Sequence, residues 1–145
     1  MRLAAFTGHW QVERRIDDRL AGRTGRFTGT ARFTPVADGL AYREEGHLEM
    51  DGAPPMTASR AALWREDFPG PISVCFEDGR LFHRIVTGET IATDVHDCPP
   101  DLYRVRYDFA AWPDWSTEWQ VRGPRKDYTM TTTYRRAGQG GGIGA

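Results

Sequence analysis

Leu102-Tyr103-Arg104-Val105-Arg106-Tyr107-Asp108-Phe109 carries the clearest pattern in the chain. A repeat of two puts Tyr103, Val105, Tyr107 and Phe109 on one face and Arg104, Arg106 and Asp108 on the other. That is a β-strand with one buried and one wet side, whereas a helical repeat would scatter both sets around the axis. The same alternation appears on both sides of this segment. Trp10, Val12, Arg14 and Ile16 alternate with Gln11, Glu13, Arg15 and Asp17. Phe27, Gly29, Ala31 and Phe33 alternate with Arg26, Thr28, Thr30 and Arg32, and Leu40, Tyr42, Glu44, Gly46 and Leu48 share a face. Trp115, Thr117, Trp119 and Val121 form a further inward set.

Read in this way, strands are expected at 9–17, 25–34, 40–49, 56–65, 72–77, 80–86, 90–96, 102–109, 115–122 and 126–136. Turn chemistry separates them: Gly22, Asp38-Gly39, Asp51-Gly52, Pro69-Gly70-Pro71, Asp78-Gly79 and Gly123-Pro124. Asp78-Gly79 reads as a two-residue hairpin. Only residues 2–7 and 109–114 have the composition for a helical turn. With no crossover helices, the expectation is an all-β chain: a single antiparallel up-and-down β-barrel of about 8–10 strands with a short N-terminal helical turn. Closure is preferred to a sandwich because it removes exposed edges. Gly29 and Ala31 in a strand interior suggest bending or close approach.

At 145 residues the chain fits one domain, and a core can form without a disulfide or metal. The barrel is assigned to 1–137 and a flexible glycine-rich tail to 138–145. Nineteen basic and 20 acidic residues leave a net charge of −1, with no long run of either sign, which argues against a nucleic-acid partner. The short apolar run before Phe6 does not make an export signal, and no stretch suits a membrane-spanning helix, so a cytoplasmic protein is expected. Cys75 and Cys98 read as free thiols in that compartment. No cofactor is called for. The polar outward faces disfavour a dry protein interface, leaving monomer or homodimer open.

Phe6-Thr7-Gly8-His9-Trp10, a helical turn followed by Gly-x-Trp at the first strand, resembles the opening motif of the calycins, the lipocalins and their relatives. The resemblance implies that Trp10 plugs one barrel end beneath a cation from the last strand, a role open to Arg135 or Arg136. Over nearly its full length, through His96-Asp97-Cys98 to the segment 123–128, the chain is also similar to a group of bacterial calycin-like proteins, from which no activity carries over. Lys126-Asp127-Tyr128 resembles the basic-x-Tyr pair by which fatty-acid-binding proteins hold a carboxylate. Lys replaces the usual Arg, however, and it follows directly on a turn, which argues against that role.

Several polar residues fall on inward faces, where an unpaired charge is expensive. Arg14 and Glu44 either pair with each other across the barrel or serve a ligand, with Arg14, helped by Arg60, gripping a carboxylate. Tyr103, Tyr107, Trp119 and Tyr128 are core side chains or the walls of a small-molecule pocket. His83, between Leu81 and Ile85, is a further candidate. Asp94, His96 and Cys98 would share a face and offer metal-ligand atoms, but at a spacing that matches no zinc signature; a capped rim histidine beside a quiet thiol is the simpler reading. The expected function is binding of a small apolar or amphipathic molecule, carboxylate-bearing or not, at Arg14, Glu44, Arg60, His83, Tyr103, Tyr107, Trp119 and Tyr128. The alternative is a small lyase, isomerase or hydrolase using cavity His, Glu or Tyr groups.

Overall fold

The computed structural model describes residues 1–137; the tail assigned to 138–145 lies outside the described residues. A short 3-10 helix, Leu3–Phe6, precedes ten antiparallel strands: β1 Gly8–Asp18, β2 Arg23–Val36, β3 Gly39–Met50, β4 Met56–Glu66, β5 Ile72–Cys75, β6 Leu81–Ile85, β7 Ile91–Cys98, β8 Asp101–Asp108, β9 Trp115–Gly123 and β10 Lys126–Arg136. They form one sheet in the order β6-β5-β4-β3-β2-β1-β10-β9-β8-β7. The meander therefore returns on itself through β1 and β10, which pair from Trp10↔Arg136 to Asp18↔Tyr128. The result is a nearly closed up-and-down barrel. Its one seam lies between β6 and β7, where no ladder forms and the Arg84 amide instead donates to the Asp94 carboxylate at 2.7 Å.

Alternation places the core where the sequence puts it. Trp10, Val12, Phe27, Ala31, Phe33, Leu40, Tyr42, Val105, Tyr107, Trp115, Trp119 and Val121 are all buried. Gly29 and Gly46 face each other across β2 and β3, and a Cβ on either would collide with the backbone carbonyl of Glu45 or Thr28. That close approach bends the sheet toward closure.

Three local expectations are corrected. The β5–β6 loop holds three residues, 77–79, closed by the Phe76 amide on the Arg80 carbonyl at 2.9 Å, with Gly79 at a φ of 89°. The register then shifts, because Val74 pairs with His83 but Cys75 with Leu81, which leaves Phe82 as an extra, bulged residue. Leu81 is consequently 38% exposed rather than inward. β7 also continues through Cys98, two residues beyond its expected end. Among the described residues no helix is long and apolar enough to cross a membrane.

One end of the barrel is sealed by a cation over an indole. The Arg136 guanidinium lies 4.0 Å from the Trp10 ring centre and donates to the carbonyls of Thr7 and Ala5, so of the two candidate arginines it is Arg136 that covers the plug. The Trp10 indole donates to the Phe6 carbonyl at 2.8 Å, which fixes the helical turn beneath it. Gly8 makes this possible with a φ of 115°, a conformation that other residues rarely adopt. On the far side of the turn, Glu66 of β4 accepts from the Leu3 amide at 2.9 Å and from Arg2.

Removing the plug tests this anchoring. Trp10→Ala is expected to cost about 3–5 kcal/mol in urea denaturation, and Arg136→Ala about 1–3 kcal/mol through its charge-assisted bonds. Arg135→Ala, at an exposed site, is expected to stay within about 0.5 kcal/mol of wild type.

Candidate functional site

Above the Trp10 plug the inward faces leave a cavity of about 370 Å³. That is the size of a small-molecule pocket, near the lower end of the usual range of roughly 300–1,000 Å³. Its walls are largely aromatic. Phe82 stacks on Trp119 with ring centres 4.9 Å apart, and Trp115 stacks on Tyr134 at 3.8 Å. Trp64, Tyr42 and Tyr107 complete the deep part, while Arg60, Tyr103 and Tyr128 line the cavity toward the strand ends opposite the plug. Arg14 and His83 also line it, and among the described residues no Asp or Glu does.

Arg14 of β1 reaches across to Glu44 of β3 in a two-pronged ion pair, Nη1 to Oε2 at 2.7 Å and Nη2 to Oε1 at 2.9 Å. Its Nε donates to Thr132 Oγ1 at 2.9 Å. The Tyr42 hydroxyl donates to Glu44 Oε1 at 2.5 Å and stands 3.4 Å from the Tyr134 hydroxyl. Burial opposes both charges, yet the fork holds the Glu44 carboxyl below its ordinary value and the Arg14 guanidinium above its own. Arg14 has thus committed Nε and both ends of its fork to protein partners. Glu44 lies behind it and takes no place on the cavity surface.

Arg60 sits opposite Glu44 in the β3–β4 ladder, but its side chain is 48% exposed and only reaches Glu44 Oε2 at 3.9 Å. It is therefore a cation at the mouth, not a buried one. Lys126 donates to the Tyr103 hydroxyl at 2.8 Å and pairs with Asp101 at 3.2 Å, so its charge is already answered.

The opposite wall is neutral. His83 is 3% exposed, and its Nε2 lies 2.7 Å from the Tyr107 hydroxyl. Burial drives the imidazole down to about 3, and burial likewise pushes the Tyr107 phenol well above its ordinary value. His83 Nδ1 and the Trp115 indole nitrogen are buried with no partner. Asp94, His96 and Cys98 follow the inward phase of β7, but Asp94 is engaged by the Arg84 and Val95 amides and Cys98 is exposed. Among the described residues no three His, Cys, Asp or Glu side chains are grouped to hold a metal.

The structure brings Arg14, Arg60, His83, Tyr103, Tyr107, Trp119 and Tyr128 to one cavity. Phe82 escaped the sequence reading because the bulge turns it inward next to His83, against the period of two. Trp64, Trp115 and Tyr134 carried the right phase but no feature separating a wall from packed core.

Residues 6–136 match the model of the family of unknown function DUF6314, and the chain belongs to that family. No curated protein matches the sequence. Among solved structures, the S-type phycobiliprotein lyase CPES from Guillardia theta is similar, with a TM-score of 0.64 and 11% identity over 92% of this chain and 89% of that one. At that identity the likeness carries the fold alone.

Acid stability reads the two walls separately. His83 stays neutral in the folded protein while the unfolded chain takes a proton below about 6.5, so stability is complete above that pH and falls with pH toward the folded value of about 3. The Glu44 contribution is complete above the ordinary carboxyl range and is lost only as pH falls through its depressed value. Between about pH 6 and 5 the wild type is expected to lose up to about 1.4 kcal/mol per pH unit, and His83→Gln to flatten that slope in pH-resolved urea titrations.

Proposed function

We propose that this barrel binds a small amphipathic anion, its apolar body among Phe82, Trp64, Trp115 and Trp119 and its negative group at Arg60. The observation that carries this reading is a charge inventory. In a cavity lined by two cations and no carboxylate, Glu44 answers the charge of Arg14 and, with Thr132, takes three of its five N–H groups, whereas Arg60 only approaches that carboxylate at 3.9 Å and is the cation whose charge is left for a guest. Its fork suits a carboxylate, and the aromatic walls supply apolar contact area. The likeness to the phycobiliprotein lyase supports the barrel frame and says nothing of this ligand.

A lyase, isomerase or hydrolase reading rests on the hydrogen bond between His83 and Tyr107. Proton transfer near neutrality favours a base whose pKa lies near the working pH. His83, held near 3, is far from that, and Glu44 is tied into the fork. Binding is therefore the reading we adopt.

The test compares naphthoate with naphthalenemethanol, an uncharged analogue, by quenching of tryptophan fluorescence and by calorimetry. Wild type is expected to bind both, and Arg60→Gln to weaken naphthoate about fivefold while leaving the alcohol unchanged, a modest effect because the guanidinium is half in solvent. Raising salt is expected to weaken only the anion. A wild-type protein that binds neither aromatic contradicts the reading.

A further inference from the structure

The deep wall of the cavity offers a second recognition group, which follows from where one proton sits. His83 is neutral, so one ring nitrogen carries hydrogen and the other a bare lone pair. Nε2 faces the Tyr107 hydroxyl at 2.7 Å, whereas Nδ1 is buried with no partner. Either tautomer leaves one proton without a protein acceptor: on Nδ1 it would be an N–H fixed in the ring plane at a buried atom, whereas on the phenol it sits on the rotatable hydroxyl of a residue that lines the cavity, where a guest can receive it. The Nε2–H form is also the commoner tautomer of a neutral histidine side chain in water. His83 therefore donates to the Tyr107 oxygen, and the phenolic proton is left over.

That proton finds no acceptor among the described residues: the bond to His83 is the one side-chain bond made by Tyr107. The other buried tyrosines of the cavity differ. Tyr42 spends its proton on Glu44, and Tyr134 faces the Tyr42 oxygen. Tyr103 and Tyr128 stand partly exposed, where water serves them. Tyr107 is 4% exposed on the cavity wall and stacked beside Trp115, with ring centres 6.1 Å apart. With the His83 N–H on one side of its oxygen, the phenolic proton takes the other position near the ring plane, away from His83.

We infer that Tyr107 is the specificity-determining donor of this cavity and that the ligand carries a carbonyl, or another uncharged oxygen acceptor, in its apolar body. The inference deepens the binding reading and rests on it. His83 acts as a positioning residue, since its N–H holds the phenol oxygen and directs the remaining proton away from the wall. An unpaired buried donor is costly, so a ligand that satisfies it gains over one of equal shape that cannot.

The probes are acetonaphthone and isopropenylnaphthalene, which share a shape but differ in the carbonyl oxygen. The ratio of their affinities for wild type is compared with the ratio for Tyr107→Phe, which removes only the hydroxyl. Wild type is expected to favour the ketone by roughly three- to tenfold more than the variant does. The carbonyl stretch of the bound ketone is expected at lower frequency in wild type than in Tyr107→Phe. Nitrogen-15 NMR of the unliganded protein is expected to find the His83 proton on Nε2. An unchanged affinity ratio, or a proton on Nδ1, overturns the inference while leaving naphthoate binding and its Arg60 dependence intact. Failure of wild type to bind any of the aromatic probes removes the binding reading itself, and this inference with it.

Discussion

The two-pronged bond between Arg14 and Glu44 sets the electrostatics of the whole interior. A lone charge on either inward face would cost several kcal/mol in effective desolvation. β1 and β3 flank β2 on the same inward face, where the small Gly29 and Ala31 let Arg14 reach Glu44 over the strand between them; Thr132 accepts from Arg14, Tyr42 donates to Glu44, and Tyr134 stands beside Tyr42. Such a network adds little net stability over an apolar core, but breaking half of it leaves a buried charge. Its main effect lies elsewhere. Because Arg14 is spent inside the protein, the polarity available to a guest shifts to the half-exposed Arg60 and to the neutral pair of His83 and Tyr107.

The sequence made the barrel legible because period two is strict wherever a strand is long and wet on one side. Leu102–Phe109 and Trp115–Val121 could not be misread, since a slip of one residue would bury arginines and expose aromatics. Turn chemistry marked the strand ends well enough to place all ten. The failures cluster at β5 and β6, which run for four and five residues. A bulge adds one residue to one strand without changing composition, so the inversion of Leu81 and Phe82 left no mark in the pattern. The choice between Arg135 and Arg136 was fixed by the phase of β10, where Arg136 pairs with Trp10.

The site was legible in its residues and not in their roles. Alternation named the inward polar groups, but depth along the barrel axis is a property of stagger between strands, which no single strand reveals. Arg14 and Arg60 looked equivalent in sequence; one is buried in a fork and the other stands at the mouth. Nor could the pattern tell which neighbouring strands lack a ladder. The seam between β6 and β7 is bridged by the Asp94 carboxylate and by Phe82 against His96, whose ring centres are 5.1 Å apart. It is thus Asp94 and His96, weighed in the sequence as metal ligands, that serve to finish the barrel.

The division of the cavity into an aromatic body and two polar points has a consequence for selectivity. Apolar walls discriminate weakly, because one methylene more or less changes binding by only about 1–3 kcal/mol, and stacked rings accept many flat shapes. A buried donor discriminates more sharply, since a guest that cannot receive its hydrogen bond leaves it stranded. On the binding reading, then, Trp64, Trp115, Trp119 and Phe82 provide affinity for a broad class of apolar guests. Arg60 selects for charge at a wet mouth, where screening keeps its influence small. Discrimination within the class falls to the driest polar group in the cavity, the hydroxyl that His83 holds in place.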